Sequence, residues 1–259
     1  MRVTAAALVV LGAAGASLAG AQPLPSRLDE RVVVTGTAAP ATAGAVGRTV
    51  AVVTADDLRD LPVASVTDAL RLLPGVWVRQ RGPFGSQTDI SLRGAAFGQT
   101  LVLIDGVRVN DPQTGHHNGD LPVALGDIAR IELLAGAGSS LYGADAVGGV
   151  INIITKREAT APEAQVAAGE HGLVQSSAVW RPGHLGVLTG LSASVDRSSG
   201  FAPARDFLHQ QVRSDFRFGT TTVAVGYLDK DFVAAGYYGP APSHERTSQL
   251  LISARDQRP

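Results

Sequence analysis

The sequence predicts a small α+β domain followed by a run of antiparallel β-strands. Three observations support this. Between about Gly47 and Arg157, short capped helices alternate with β-branched strands. Asp105-Gly106 sits between two apolar runs, a strong signal for a tight hairpin. After Arg157 the apolar residues recur with a period of two, as in strands with one apolar face.

Of 259 residues, 45% are apolar, enough for a core, although aromatics supply only 5%. Lys and Arg number 22 against 23 Asp and Glu, so there is no basic excess to hold a nucleic acid. Cysteine is absent, which excludes a disulfide scaffold and thiolate metal sites.

The first element is an export leader. Arg2 gives a positive start, Thr4 to Ala16 is uncharged and largely apolar, and Ala19-Gly20-Ala21 offers small residues for cleavage. The apolar part is shorter than the roughly 20 residues a bilayer-spanning helix needs. Residues 1–21 are therefore expected to be a signal peptide, leaving a mature chain from Gln22 outside the cytoplasm. No later segment is long and apolar enough to span a membrane as a helix. Residues 22–46 read as a flexible segment rich in Ala, Thr, Gly and Pro. Within it, Glu30 to Gly36 contains the β-branched run Val32-Val33-Val34-Thr35. Such a strand can complete another protein's sheet or serve as the domain's own first strand, and its chemistry leaves both open.

Val50 to Val53 reads as a strand. Thr54 then caps a helix running to Leu61, with Asp57 in its first turn. Ser65 caps a second helix with Asp68 three residues on, and Val66, Ala69, Leu70 and Leu73 follow at helical spacing until Pro74-Gly75. Val76, Trp77 and Val78 open a strand, and these apolar positions are expected in the core. Ile90 and Leu92 alternate with Asp89 and Ser91 as far as Arg93-Gly94. Thr100 to Ile104 and Val107 to Val109 flank the Asp105-Gly106 turn. A long polar loop, Asn110 to Leu121, precedes the run Asp127 to Ile131. That run leads into a β-branched strand, a glycine-dense connector from Gly136 to Gly143, and a last strand ending at Thr155.

Beyond Arg157, Val187, Thr189, Leu191, Ala193 and Val195 alternate with Leu188, Gly190, Ser192, Ser194 and Asp196. Val212, Ser214, Phe216 and Phe218 alternate with Arg213, Asp215 and Arg217. Val223, Val225 and Tyr227 continue the habit, as do Leu250, Ile252 and Ala254. The pattern suits the wall of an outer-membrane barrel, and a soluble sandwich gives much the same.

Four motifs in one order resemble the plug of TonB-dependent outer-membrane receptors. They are Asp68-Ala69-Leu70 to Leu73-Pro74-Gly75-Val76, Ser91-Leu92-Arg93-Gly94, Leu101 to Val107, and the glycine-rich unit from Arg130 to Lys156. The resemblance runs from about Glu30 to Lys156. It implies an α+β plug domain, a four-stranded mixed sheet with short helices, over residues 47–157. The first few antiparallel strands of an outer-membrane β-barrel would follow over 158–259. It further implies energy-coupled import of metal chelates, such as iron–siderophores or cobalamin, by a monomer in the outer membrane. Residues 30–36 would be the Ton box, with Val32, Val33, Val34, Thr35 and Gly36 meeting the periplasmic energiser TonB. The chelate would meet outer plug loops through Phe84, Gln87, Phe97, Gln99, Asn110, Asp111, Gln113, His116, His117 and Asn118. Relatives pair two plug arginines with barrel glutamates. Arg93 matches one, whereas Ala135-Gly136-Ala137 stands where the other is usual. Arg93 is thus the expected plug–barrel contact.

Residues 158–259 leave 102 positions for the wall. A barrel of roughly 22 strands at ~10 residues each needs at least ~220. The chain is expected to be the N-terminal part of a longer receptor, cut short.

Other chemistry is poorly supported. The loop with Asp111, His116, His117, Asn118 and Asp120 invites a metal, but adjacent histidines rarely aim at one ion and no His-x3-His spacing occurs. Gly136-Ala137-Gly138 lacks the third glycine of a dinucleotide fingerprint, where Leu141 stands, and no serine sits in a Gly-x-Ser-x-Gly elbow. No cofactor and no enzymatic activity are expected. The rival readings are a truncated periplasmic plug module that binds TonB or ligand without transport, and an exported hydrolase using Ser139 or Ser140.

Overall fold

Each predicted helix starts where its cap stands. In the computed structural model, residues 49–111, 114–136, 142–183, 186–237, 239 and 243–256 are described. The leader, the Ton-box segment, Gln113, Ser139 and Ser140 lie outside them. Strand β1 (Thr49–Thr54) runs into helix α1 (Ala55–Asp60). There Thr54 Oγ1 accepts from the Asp57 amide at 3.2 Å, and Asp57 Oδ2 accepts from the Thr54 amide at 2.8 Å. Helix α2 (Val66–Leu70) begins at Ser65, whose Oγ accepts from the Asp68 amide at 3.1 Å.

Strands β2 (Val76–Arg81) and β3 (Gln87–Leu92) form an antiparallel pair. The main plug sheet comprises β4 (Thr100–Ile104), β5 (Val107–Arg108), β6 (Ile128–Ala135), β7 (Gly149–Thr155) and β1, in the order β1-β6-β7-β4-β5. The β4–β7 pair is parallel and the other pairs are antiparallel, so the sheet is mixed. The resemblance implied four strands. The fifth is the two-residue β5, folded back by Asp105 (φ 51°) and Gly106 (φ 84°), the backbone of a tight hairpin turn.

One apolar cluster joins helices and sheet: Leu58, Leu70, Leu73, Ile90, Leu92, Val102, Ile104, Ile131, Leu133, Ile151 and Ile153 are buried together. Gly149 allows the closest approach. A Cβ there would lie 2.4 Å from Leu92 Cδ2 and 2.5 Å from the Leu134 carbonyl oxygen. Trp77 corrects the expectation of a core position, being 70% exposed. Successive strand residues face opposite sides, so when Val76 and Val78 turn towards the core, Trp77 turns away.

The second sheet holds β8 (Thr160–Ala168), β9 (Val174–Arg181), β10 (Leu188–Ser198), β11 (Phe207–Phe218), β12 (Thr221–Val233) and β13 (His244–Asp256). Each strand pairs antiparallel with the next in the chain. Its two faces are inverted relative to a soluble sandwich. Leu250 and Ile252 are each 62% exposed, and Val212 and Tyr227 also face outward. His209, Gln211, Arg213 and Asp215, on the other face of β11, are buried against the plug. A sandwich buries the apolar row, whereas this sheet buries the polar one, as the wall of an outer-membrane barrel does.

Candidate functional site

The inward row of the wall grips the plug through two polar clusters. The first lies where β9, β10 and β11 approach the short 3-10 turn Leu125–Asp127 and the β4–β5 hairpin. Arg181 Nε and Nη2 donate to the two Asp127 carboxylate oxygens at 2.7 and 2.9 Å, and Nη2 also donates to Asp215 at 2.8 Å. Ser192 Oγ donates to Asp127 at 3.2 Å. Arg213 Nη2 donates to Asp105 at 2.8 Å and lies 3.1 Å from Asp215. Asp105 also accepts from the Thr155 amide at 3.0 Å and from Thr155 Oγ1 at 2.8 Å, and Arg255 donates to its carbonyl oxygen. The turn residue chosen for its backbone is therefore also an anchor between plug and wall.

Burial pushes the Asp127 carboxyl above the usual carboxylate range, while hydrogen bonding and charge from Arg181 pull it back. The bidentate fork to Arg181 offsets part of the desolvation cost of this pair. Glycines make the approach possible. A Cβ on Gly190 would lie 2.6 Å from Arg181 Nη1, and one on Gly226 would lie 3.1 Å from the Pro122 carbonyl oxygen.

The second cluster lies further along the wall. Lys230 Nζ donates to the Gly85 carbonyl oxygen and to Asp120, each at 2.6 Å. Thr247 Oγ1 donates to the other Asp120 oxygen at 2.9 Å. His209 Nε2 lies 3.3 Å from Ser86 Oγ. Beside these contacts a cavity of about 320 Å³ separates plug from wall, lined by Ser65, Thr67, Gln175, Asp196 and Gln211 among others.

The loop candidates fall into two groups. Several are occupied in holding the loops. Gln87 and Asn118 are buried. Asn118 accepts from the Asp111 amide at 3.1 Å and donates to the Phe97 carbonyl oxygen at 3.1 Å. Asn110 bridges the Val102 amide and the Thr100 carbonyl oxygen. The Asp111 carboxylate accepts from Thr114 and Gly115, and Gln99 accepts from the Ala96 amide. Others stay more accessible. Phe97 stacks on His116 with ring centroids 4.5 Å apart, and His116 Nδ1 lies 2.9 Å from Asp89. His117 lies 3.7 Å from Asp120. Phe84, at φ 51°, packs against Phe207 beside Phe232 and Tyr237. The loops bearing Phe97 and His116 are thus brought together, whereas Phe84 points to the wall. Among the described residues, no cluster of His, Asp and Glu is arranged to hold a metal.

Arg93 is exposed in the turn after β3, with φ 53°. The buried plug–wall ion pairs run the other way, from plug aspartates to Arg181, Arg213 and Lys230 of the wall. Sequence reasoning missed them because alternation marked Arg213, Asp215 and Arg217 as one face of a strand without naming what that face meets. Charges recurring at every second position over a wall strand were the available signal.

The TonB-dependent Receptor Plug Domain family matches residues 42–150. The iron-regulated outer membrane virulence protein of Vibrio cholerae serotype O1 is 33% identical over 251 residues, covering 90% of this chain and 35% of that protein. A structure of FpvA from Pseudomonas aeruginosa bound to pyoverdine superposes on 86% of this chain and 34% of its own, with TM-score 0.62 and 18% identity. The ferric yersiniabactin uptake receptor FyuA of Yersinia pestis gives TM-score 0.53 and 23% identity over 74% of this chain and 33% of that one. The chain spans about a third of the length of these relatives. With a mixed plug sheet and an inverted antiparallel wall gripping it, the chain carries a TonB-dependent receptor plug domain followed by antiparallel strands like those that open the barrel in these outer-membrane proteins.

Proposed function

We propose that this chain is the gate and leading wall of a receptor that imports an iron chelate across the outer membrane, energised by TonB. The observation that carries this reading is the inverted wall. Apolar side chains face outward where lipid would lie, and charged ones hold the plug from within. A plug held by ion pairs and hydrogen bonds can be displaced into water-filled space at modest cost, since water replaces the lost partners. An apolar plug–wall seam would resist displacement far more.

Connection lengths support an orientation. The turn between β11 and β12 is two residues long, whereas the β12–β13 connection spans residues 234–243. Barrels of this kind keep short turns on the periplasmic side and longer loops outside. Phe84 meets Phe207 and Phe232 at the long-loop end, so the plug loops with Phe97 and His116 would face incoming ligand. Arg93 would meet wall strands other than those described. The iron-regulated relative and the ferric-siderophore receptors of similar fold favour an iron chelate over cobalamin. Residues 1–21 would direct export, and Val32 to Gly36 would add a strand to TonB.

Proline at Val33 removes a backbone donor from that strand. In the full-length receptor, Val33→Pro should abolish energy-dependent uptake of ferric chelate and leave surface binding intact. Unchanged uptake would overturn the coupling. Recovery of the protein as a soluble periplasmic product, with no heat-modifiable form in the outer membrane, would favour the binding module instead.

A further inference from the structure

We infer that the cavity at the short-turn end of the plug–wall interface binds a phosphate-type oxyanion. The cavity measures about 80 Å³ and is lined by Lys156, Arg157, Arg181, Arg213, Arg217 and Arg255 together with Asp105 and Asp215. Pockets for drug-sized ligands run to roughly 300–1,000 Å³, so this one suits a single small ion and no chelate.

Charge sets the sign of that ion. Among the described residues, the carboxylates meeting these six cations are Asp105, Asp127, Asp215 and Glu163. Two positive charges are left without a carboxylate partner. No described carboxylate pairs with Arg217, and Arg255 directs a guanidinium nitrogen to the Asp105 carbonyl oxygen. A separate observation points to a missing acceptor. Arg213 is 3% exposed, and its Nε–H has no hydrogen-bond partner among the described residues. A buried charged donor left unmatched costs more than a neutral one, and a bound oxyanion would satisfy it.

The geometry favours a tetrahedral oxyanion over chloride. Guanidinium forks match pairs of oxygens, and donors converging from β7's end, β11 and β13 need several acceptor atoms on one centre. The inward row of β11 ends with Arg217, which is exposed at the mouth, and Arg157 is half-exposed beside it. The site is therefore open to free phosphate and to a phospholipid headgroup. Occupied, it would link the segment after β7 to the wall by charge.

The test is titration calorimetry on the refolded receptor in detergent at constant ionic strength, with chloride as background. Sodium phosphate and a short-chain phosphatidylglycerol form two arms. Saturable binding in either arm is expected, and the stronger arm identifies the source. Arg217→Gln and Arg157→Gln should each weaken it at least tenfold. Arg246→Gln, an exposed arginine paired with Asp229 in the other half of β13, should leave it unchanged. Circular dichroism in chloride buffer checks that each variant folds. Arg217 lies at the mouth outside the ion-pair network, so that variant decides the matter should Arg157→Gln misfold. Absence of binding in both arms, or equal binding by Arg217→Gln and the parent, would overturn the site.

Discussion

Asp127→Asn removes one charge from the most buried part of the plug–wall interface and keeps the side chain's shape. Asp127 is 1% exposed, and both its oxygens accept from Arg181. Removing one partner of a buried ion pair costs about 3–5 kcal/mol, because the other charge stays buried and less compensated. Arg181 keeps Asp215 at 2.8 Å, and the asparagine still offers one acceptor oxygen. These retained contacts place the loss near about 3 kcal/mol. With a urea slope of about 2 kcal/mol per molar, the midpoint should fall by about 1.5 M. The assay is urea unfolding of the receptor in detergent, followed by fluorescence of Trp77 in the plug and Trp180 in the wall. Arg181→Met alone should lose at least as much. In the double variant the losses should fall short of their sum by about 1 kcal/mol or more, the signature of direct coupling. A change under about 0.5 kcal/mol for Asp127→Asn, or strict additivity, would refute the anchor.

Gly149→Ala should destabilise the plug by about 3 kcal/mol or more, since the new methyl meets a backbone oxygen at a φ of 145°. Limited proteolysis of the plug would register this as faster cleavage. Ile252→Arg places a charge on the outward face and should cost about 2–4 kcal/mol in a bilayer, measured by urea unfolding in lipid vesicles. The same change should have little effect in an aqueous context. Phe97→Ala removes the ring stacked on His116 and should weaken chelate binding by about tenfold without shifting the thermal midpoint, as judged by fluorescence quenching on ligand titration.

Local signals in the sequence were sufficient wherever local physics decided the structure. Thr54 with Asp57, Ser65 with Asp68, and Asp105-Gly106 each specify a cap or turn within four residues, and all three formed as read. Period-two apolar runs located four of the six described wall strands, β10 to β13, but left open which face was buried. That choice depends on the surrounding solvent, which no single strand encodes. Trp77 was misplaced for a related reason, since an apolar side chain in a strand was equated with burial while the alternation around it said otherwise. The anchors Asp105, Asp127, Asp120, Arg181, Arg213 and Lys230 were missed because the ion pairs that join them across plug and wall span 54 to 110 residues. Such pairs carry no spacing signal. Asn110 and Asn118 lie on loops that the resemblance assigns to the chelate, and the fold uses their amides to hold those loops together.

The plug sheet places its last-made strand in its middle. β7 lies between β6 and β4, so residues 100–104 and 128–135 have no shared neighbour until residues 149–155 arrive. A chain delivered from its N-terminus must therefore wait with two half-built ladders, a topology of long sequence separation that assembles slowly. Only four residues then separate β7 from β8. Completion of the gate and initiation of the cylinder around it would thus be nearly simultaneous events during biogenesis.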